Sequence, residues 1–291
     1  MPSPSHRPWL SLVFLLLITR ASPLVAAELF YLGQPIPDIQ RPWTSADYQD
    51  LISALAKIDS DQADALPRRS GEFTGPIYQR LVSEENFRGQ LNIYAPLEER
   101  QNEAREVLFR LKDLMRLYFN FRAAVQPYGA EALGLMTHSL RQQAVLFTLT
   151  TEFWTTLSAK EQRNPVRLQG LQDTKAAAAM LTASALDYLM LTAQFNREDL
   201  VRYGAELSQQ LPALFVHLRA EVRGELLARI ARMANEHPYA EVRASLSQSL
   251  PVLQVLQADI QAQLGQSAQA TQPARTGSAS GALDLSLPSV Q

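Results

Sequence analysis

Residues 97–125 read LEERQNEAREVLFRLKDLMRLYFNFRAAV, and their periodicity decides the fold class. Ala104, Val107, Leu108, Leu111, Leu114, Met115, Tyr118, Phe121 and Val125 recur at intervals of three and four, which lays one apolar stripe along a helix. Glu106 precedes Arg110 by four residues and Asp113 precedes Arg116 by three, pairings that suit a solvated helix flank. Phe119 points away from the stripe and is free to meet the N-terminal segment or a partner. Gln126-Pro127-Tyr128-Gly129 then breaks the pattern and suits a tight helical hairpin.

Downstream the same periodicity returns. A helix over about 130–158 carries Leu133, Met136, Leu140, Phe147 and Trp154, with Leu146, Leu149 and Phe153 on a second side. Burial from two directions is expected in its latter half. Asn164-Pro165 and Gly170 mark a longer connection, after which 174–195 is the most apolar stretch of the body. Being apolar nearly all round, it reads as the central member of a bundle rather than a membrane span, since Asp187 and Gln194 interrupt a barely sufficient length. Asn196 with Asp199 caps the next helix, whose stripe runs from Leu200 to Met233 in unbroken phase through Pro212. One long helix kinked at Pro212 is the simplest account; two helices are the alternative. The last stripe, Tyr239 to Leu264, likewise keeps its phase through Pro251.

At the other end, Arg7, an apolar run from Trp9 to Ile18, and Val25 and Ala27 at the two small-residue positions make a secretory signal peptide over residues 1–27. Cleavage is expected between Ala27 and Glu28, which places the protein in a bacterial periplasm. No Cys follows the run, so no lipid anchor is expected. Residues 28–43, punctuated by Pro35, Pro37 and Pro42, read as an extended arm on the body. Thr44 and Asp47 open a short helix bearing Tyr48, Leu51, Leu55 and Ile58. Residues 59–73 look polar and turn-like, and a second short helix starts at Thr74. Residues 265–291 turn to Gln, Ser, Ala, Thr, Pro and Gly and should be disordered, with Ala282–Pro288 as a possible docking end. The expected architecture is all-α: an elongated bundle of about five long antiparallel helices over 44–264, with two short N-terminal helices.

Composition narrows the chemistry. The chain contains no cysteine, which removes disulfides, thiolate catalysis, thiolate metal sites and covalent haem. Without residues 1–27, 25 basic groups face 29 acidic ones, a mild acidity with no electrostatic reason for nucleic acid. No glycine-rich phosphate loop or serine elbow occurs. Glu-x-x-His, the mark of a metal site in a helical bundle, is absent; His217 with Glu221 one turn later is the nearest approach and looks like a solvated edge. His138 reads as a hydrogen-bonded boundary residue and His237 as a cap. No cofactor and no catalytic residues are expected.

Asp187 is the polar residue that asks for a reason, because a carboxylate in an apolar helix must be paired, protonated or at an edge. A structural ion pair, with Arg141 as partner, competes with a role as the polar handle of a ligand pocket. The functional expectation is a non-enzymatic interaction or scaffold protein of the cell envelope. The alternative is a carrier or sensor holding a small apolar ligand between helices, with the Ala-rich segment leaving room for it.

Overall fold

A computed structural model describes residues 29–58, 65–119 and 127–270, the side chains of 88, 90 and 264–270 excepted. The expected signal peptide with its Ala27–Glu28 junction lies outside these residues, as do Phe121, Val125 and the tail beyond 270. The fold is an all-α bundle, as the periodicity predicts. Its helices are α1 (Ser45–Leu55), α2 (Thr74–Leu81), α3 (Arg88–Leu91), α4 (Leu97–Phe119), α5 (Gly129–Thr156), α6 (Ala159–Gln162), α7 (Pro165–Leu189), α8 (Arg197–Phe215), α9 (Ala220–Glu236) and α10 (Ala240–Ala270).

Two apolar cores share α5 as their common wall. Leu133, Met136, Leu140 and Phe147 on one side of α5 join α7, α8, α9 and α10. Ala132, Leu135, Leu146 and Leu149 on another side join α1, α2, α4 and the N-terminal arm. Helix α5 therefore holds the central position that composition suggests for 174–195. Its burial is concentrated in residues 129–150 and fades at Thr151, so the latter end is the less buried part. Helix α7 buries only Ala178, Thr182, Ala185, Leu186 and Leu189 and lies at the edge. Alanine explains the misreading: its small side chain suits a core and an open face equally, so composition alone cannot place it.

The arm is extended, and it also pairs with itself. Strand β1 (Leu29–Tyr31) runs antiparallel to β2 (Gln34–Ile36), with Tyr31 opposite Gln34. Leu32 and Gly33 both take positive φ, 46° and 77°, as a two-residue hairpin turn of this hand requires. Trp43, fully buried, ties the arm down: its Nε1–H donates to the Asp38 carbonyl and its backbone N–H to Asn86 Oδ1, both at 2.9 Å. Asn86 Nδ2 in turn donates to Tyr48 Oη, whose hydroxyl donates to the Leu81 carbonyl at 2.7 Å. The Thr44–Asp47 capping box forms as expected. Burial works to raise the Asp47 pKa, but hydrogen bonds from Arg41 and Thr44 outweigh it and hold the carboxyl below its ordinary value. The segment after 64 is less polar than it reads: Ala65 and Leu66 are buried, and the Leu66 N–H donates to Tyr128 Oη.

Among the described residues six helices exceed four turns, in line with the expected bundle of about five long ones. Asn164-Pro165 starts α7 instead of a connection, with Asn164 Oδ1 accepting from the Val166 N–H at 2.9 Å and Pro165 in the first turn. Helix α8 passes through Pro212 but ends at Phe215, and Arg219 is extended before α9 begins. Buried Arg223 secures that break by donating to the Leu218 carbonyl and, at 2.7 Å, to Gln257 Oε1 on α10. Helix α10 continues through Pro251 without interruption.

Candidate ligand groove

Helices α4 and α7 both run antiparallel to α5 and therefore parallel to each other. Each packs on α5, α7 more sparsely, and the space between them is left open. The result is a groove of about 660 Å³, within the ordinary size range of small-molecule sites. Its floor is α5, through Met136, Ser139, Gln143 and Leu146. These recur at three, four and three residues, a spacing that keeps them on one helix face. The α4 wall presents Leu108 and Phe109 between the cations Arg105 and Lys112, with Met115 beyond Lys112. The α7 wall presents Gly170, Thr174, Ala177, Met180, Leu181 and Ser184, along with Asp173. These mostly short side chains hold the wall back and leave the groove its width.

One end is stoppered by aromatic rings. Phe119 stacks on Tyr188 with centroids 4.6 Å apart, and Phe195 meets Phe119 edge-on at 6.2 Å. Phe119 thus joins α4 to α7. Its neighbour Tyr118 turns the other way, donating its buried hydroxyl to the Pro67 carbonyl at 2.8 Å.

Gln143 is the unusual residue of the floor. It is 2% exposed, and its Nε2 has no hydrogen-bond partner. A buried donor left unpaired costs about 1–3 kcal/mol, so the amide gains most from an acceptor brought into the groove. Ser139 beside it is already engaged, donating to the Leu135 carbonyl at 2.9 Å. The signal for this floor is present in the sequence: Ser139 and Gln143 interrupt an otherwise apolar face of α5 at helical spacing.

Asp187 takes no part in the groove. Its side chain is 64% exposed and pairs with Arg229 of α9. Arg141, the expected partner, pairs instead with Glu84 at 3.1 Å. His138 is fully buried rather than at a boundary, with Gln142 Nε2 3.2 and 3.3 Å from its two ring nitrogens. Burial, reinforced by nearby Arg141, pushes its pKa down to about 3. His217 stacks on Phe147 at 4.7 Å, and burial with a smaller contribution from Lys175 lowers its pKa. Glu221 is exposed. His237 is buried and caps α10: Nδ1 accepts from the Tyr239 N–H at 3.1 Å while Nε2 donates to the Leu189 carbonyl at 2.8 Å. Among the described residues no three His, Asp or Glu side chains converge as a metal site, and no helix is long and apolar enough to cross a membrane.

Compared with protein-family models, with curated proteins and with solved structures, the chain matches none. The functional argument therefore rests on the groove.

Proposed function

We propose that the protein is a non-catalytic binding protein, acting as carrier or sensor, that holds a small amphipathic molecule in the groove between α4, α5 and α7. The carrying observation is the unpartnered Gln143 amide on the floor of an otherwise largely apolar groove. An apolar body displaces water from Leu108, Met115 and Leu181, and an acceptor on the ligand satisfies the amide. The signal-like residues 1–27 support action in the periplasm.

The test is titration with the neutral dye N-phenyl-1-naphthylamine, whose emission rises in apolar surroundings. The wild-type protein should bind it saturably, and Ala177→Phe, which fills the groove from its exposed α7 wall, should abolish binding without loss of helicity. Equal binding by both proteins contradicts the assignment.

A second reading, a protein-interaction surface, is favoured by one observation. Ile93 and Tyr94, adjacent in the turn before α4, are 68% and 92% exposed. Ile93→Ser with Tyr94→Ser would release a partner captured through that turn while leaving dye binding unchanged.

A further inference from the structure

The groove has a polarity along its length, and its ionisable groups select the sign of the ligand. On α4, Arg110 pairs with Glu106 and Arg116 with Asp113. Arg105 and Lys112, the two basic residues that line the groove, have no carboxylate partner among the described residues. Arg105 reaches only the Asn102 side-chain oxygen, at 3.5 Å. The opposing wall offers one acid, Asp173, which already accepts from Gln169 Nε2 at 2.7 Å.

Two contacts fix the level of Gln143 against α4. Ser139 reaches Met115 Sδ at 3.4 Å, and Gln101 donates to Thr150 Oγ1 at 2.9 Å. Because α4 and α5 are antiparallel, Gln143 falls between the levels of Arg105 and Lys112, which stand about 10 Å apart along the helix. A neutral donor on the floor and two cations on the wall therefore share one stretch of groove. From there toward the Phe119–Tyr188 stopper the lining is mainly apolar: Met115, Met136, Leu181 and Tyr188.

From this arrangement we infer that the ligand is an anionic amphiphile, an acid with a single apolar tail. Its acidic headgroup lies at the level of Gln143 between Arg105 and Lys112, and its tail runs toward Phe119 and Tyr188. This inference rests on the groove being the binding site and adds the charge and direction of what occupies it. Charge-assisted hydrogen bonds from Arg and Lys to an acid are stronger than neutral ones, whereas a cationic headgroup at this level meets two like charges.

The experiment is displacement of N-phenyl-1-naphthylamine by three probes of equal chain length: dodecanoate, dodecan-1-ol and dodecyltrimethylammonium. It is run near pH 8, well above the ordinary carboxylate range, and below the concentration at which each probe self-associates. Dodecanoate should displace the dye at the lowest concentration and the ammonium at the highest. Arg105→Glu with Lys112→Glu should weaken dodecanoate about tenfold, the combined scale of two partly exposed charge contacts, and leave dodecan-1-ol within about twofold. Equal displacement by all three, or a dodecanoate affinity indifferent to the double substitution, overturns the charge assignment while the groove stands. Saturable dye binding that no probe displaces overturns the single-tailed ligand class. Failure of the dye itself to bind overturns both readings.

Discussion

The ring of Phe119 lies flat on that of Tyr188, 11° from parallel, and this single stack is the bolt between the ends of α4 and α7. Between that stack and the level of Arg105 and Gly170 the two helices and α5 line the groove. The stack makes Phe119→Ala and Tyr188→Ala non-additive. Each should lower unfolding free energy by about 2 kcal/mol, and a double-mutant cycle should give a coupling near 1 kcal/mol, the usual worth of an aromatic pair beyond its area. Denaturant unfolding measures it, and strictly additive losses would mean the rings do not support one another.

Buried His138 gives the fold an acid sensitivity with a defined window. Its folded pKa is pushed to about 3 from an ordinary 6.5, so below 6.5 the unfolded chain takes up a proton that the folded chain refuses. Its contribution to stability is complete above pH 6.5 and is lost, at up to about 1.4 kcal/mol per pH unit, as pH falls toward 3. His138→Gln cannot titrate, and its unfolding midpoint should decline less steeply between these limits. Parallel curves for the two proteins would show that the ring is not shielded.

Asn86 is the polar clasp of the N-terminal core. Truncation to Ala leaves the Trp43 N–H without its acceptor and removes a donor from Tyr48, both buried. A loss of about 2–4 kcal/mol follows from unsatisfied buried groups of this kind. Near-UV circular dichroism of Trp43 should weaken before helicity does, and a change below about 0.5 kcal/mol would contradict the network.

Asp187 should prove nearly silent. Its pair with Arg229 is largely exposed, and such pairs contribute about 0–1 kcal/mol. Asp187→Ala should leave both stability and dodecanoate displacement close to wild type. Loss of ligand affinity in this variant would move the site away from the α5 floor.

The local grammar of the chain was readable in advance. Thr44 with Asp47 and Asn196 with Asp199 cap their helices as short-range chemistry dictates, and the stripe of α4 faces the core as its period demands. What the period leaves open is the identity of the neighbour. The apolar residues of 174–195 fit a centre or an edge, and only the placement of α5 decides it. The break between α8 and α9 falls inside an apolar spacing that continues from Leu214 and Leu218 to Leu226 and Ile230, so no sequence interruption announces it. The hairpin turn hid because Leu32 takes a positive φ that leucine rarely adopts. Gln143 was not singled out from the sequence, because the groove beside it is formed by two helices remote in sequence, α4 and α7. Asp187 drew attention through its composition-poor surroundings, whereas its own position on the helix turns it toward α9.

The central claim is that Gln143 is kept polar for a ligand rather than for the fold, and Gln143→Met tests it with two readings on one protein. The substitution removes an unpaired buried donor while nearly preserving shape. The ligand-free protein should therefore gain about 1–2 kcal/mol in unfolding free energy, while dodecanoate displaces the dye less well than from wild type. A variant that is less stable and binds dodecanoate unchanged would contradict the account, because Gln143 would then be serving the core alone.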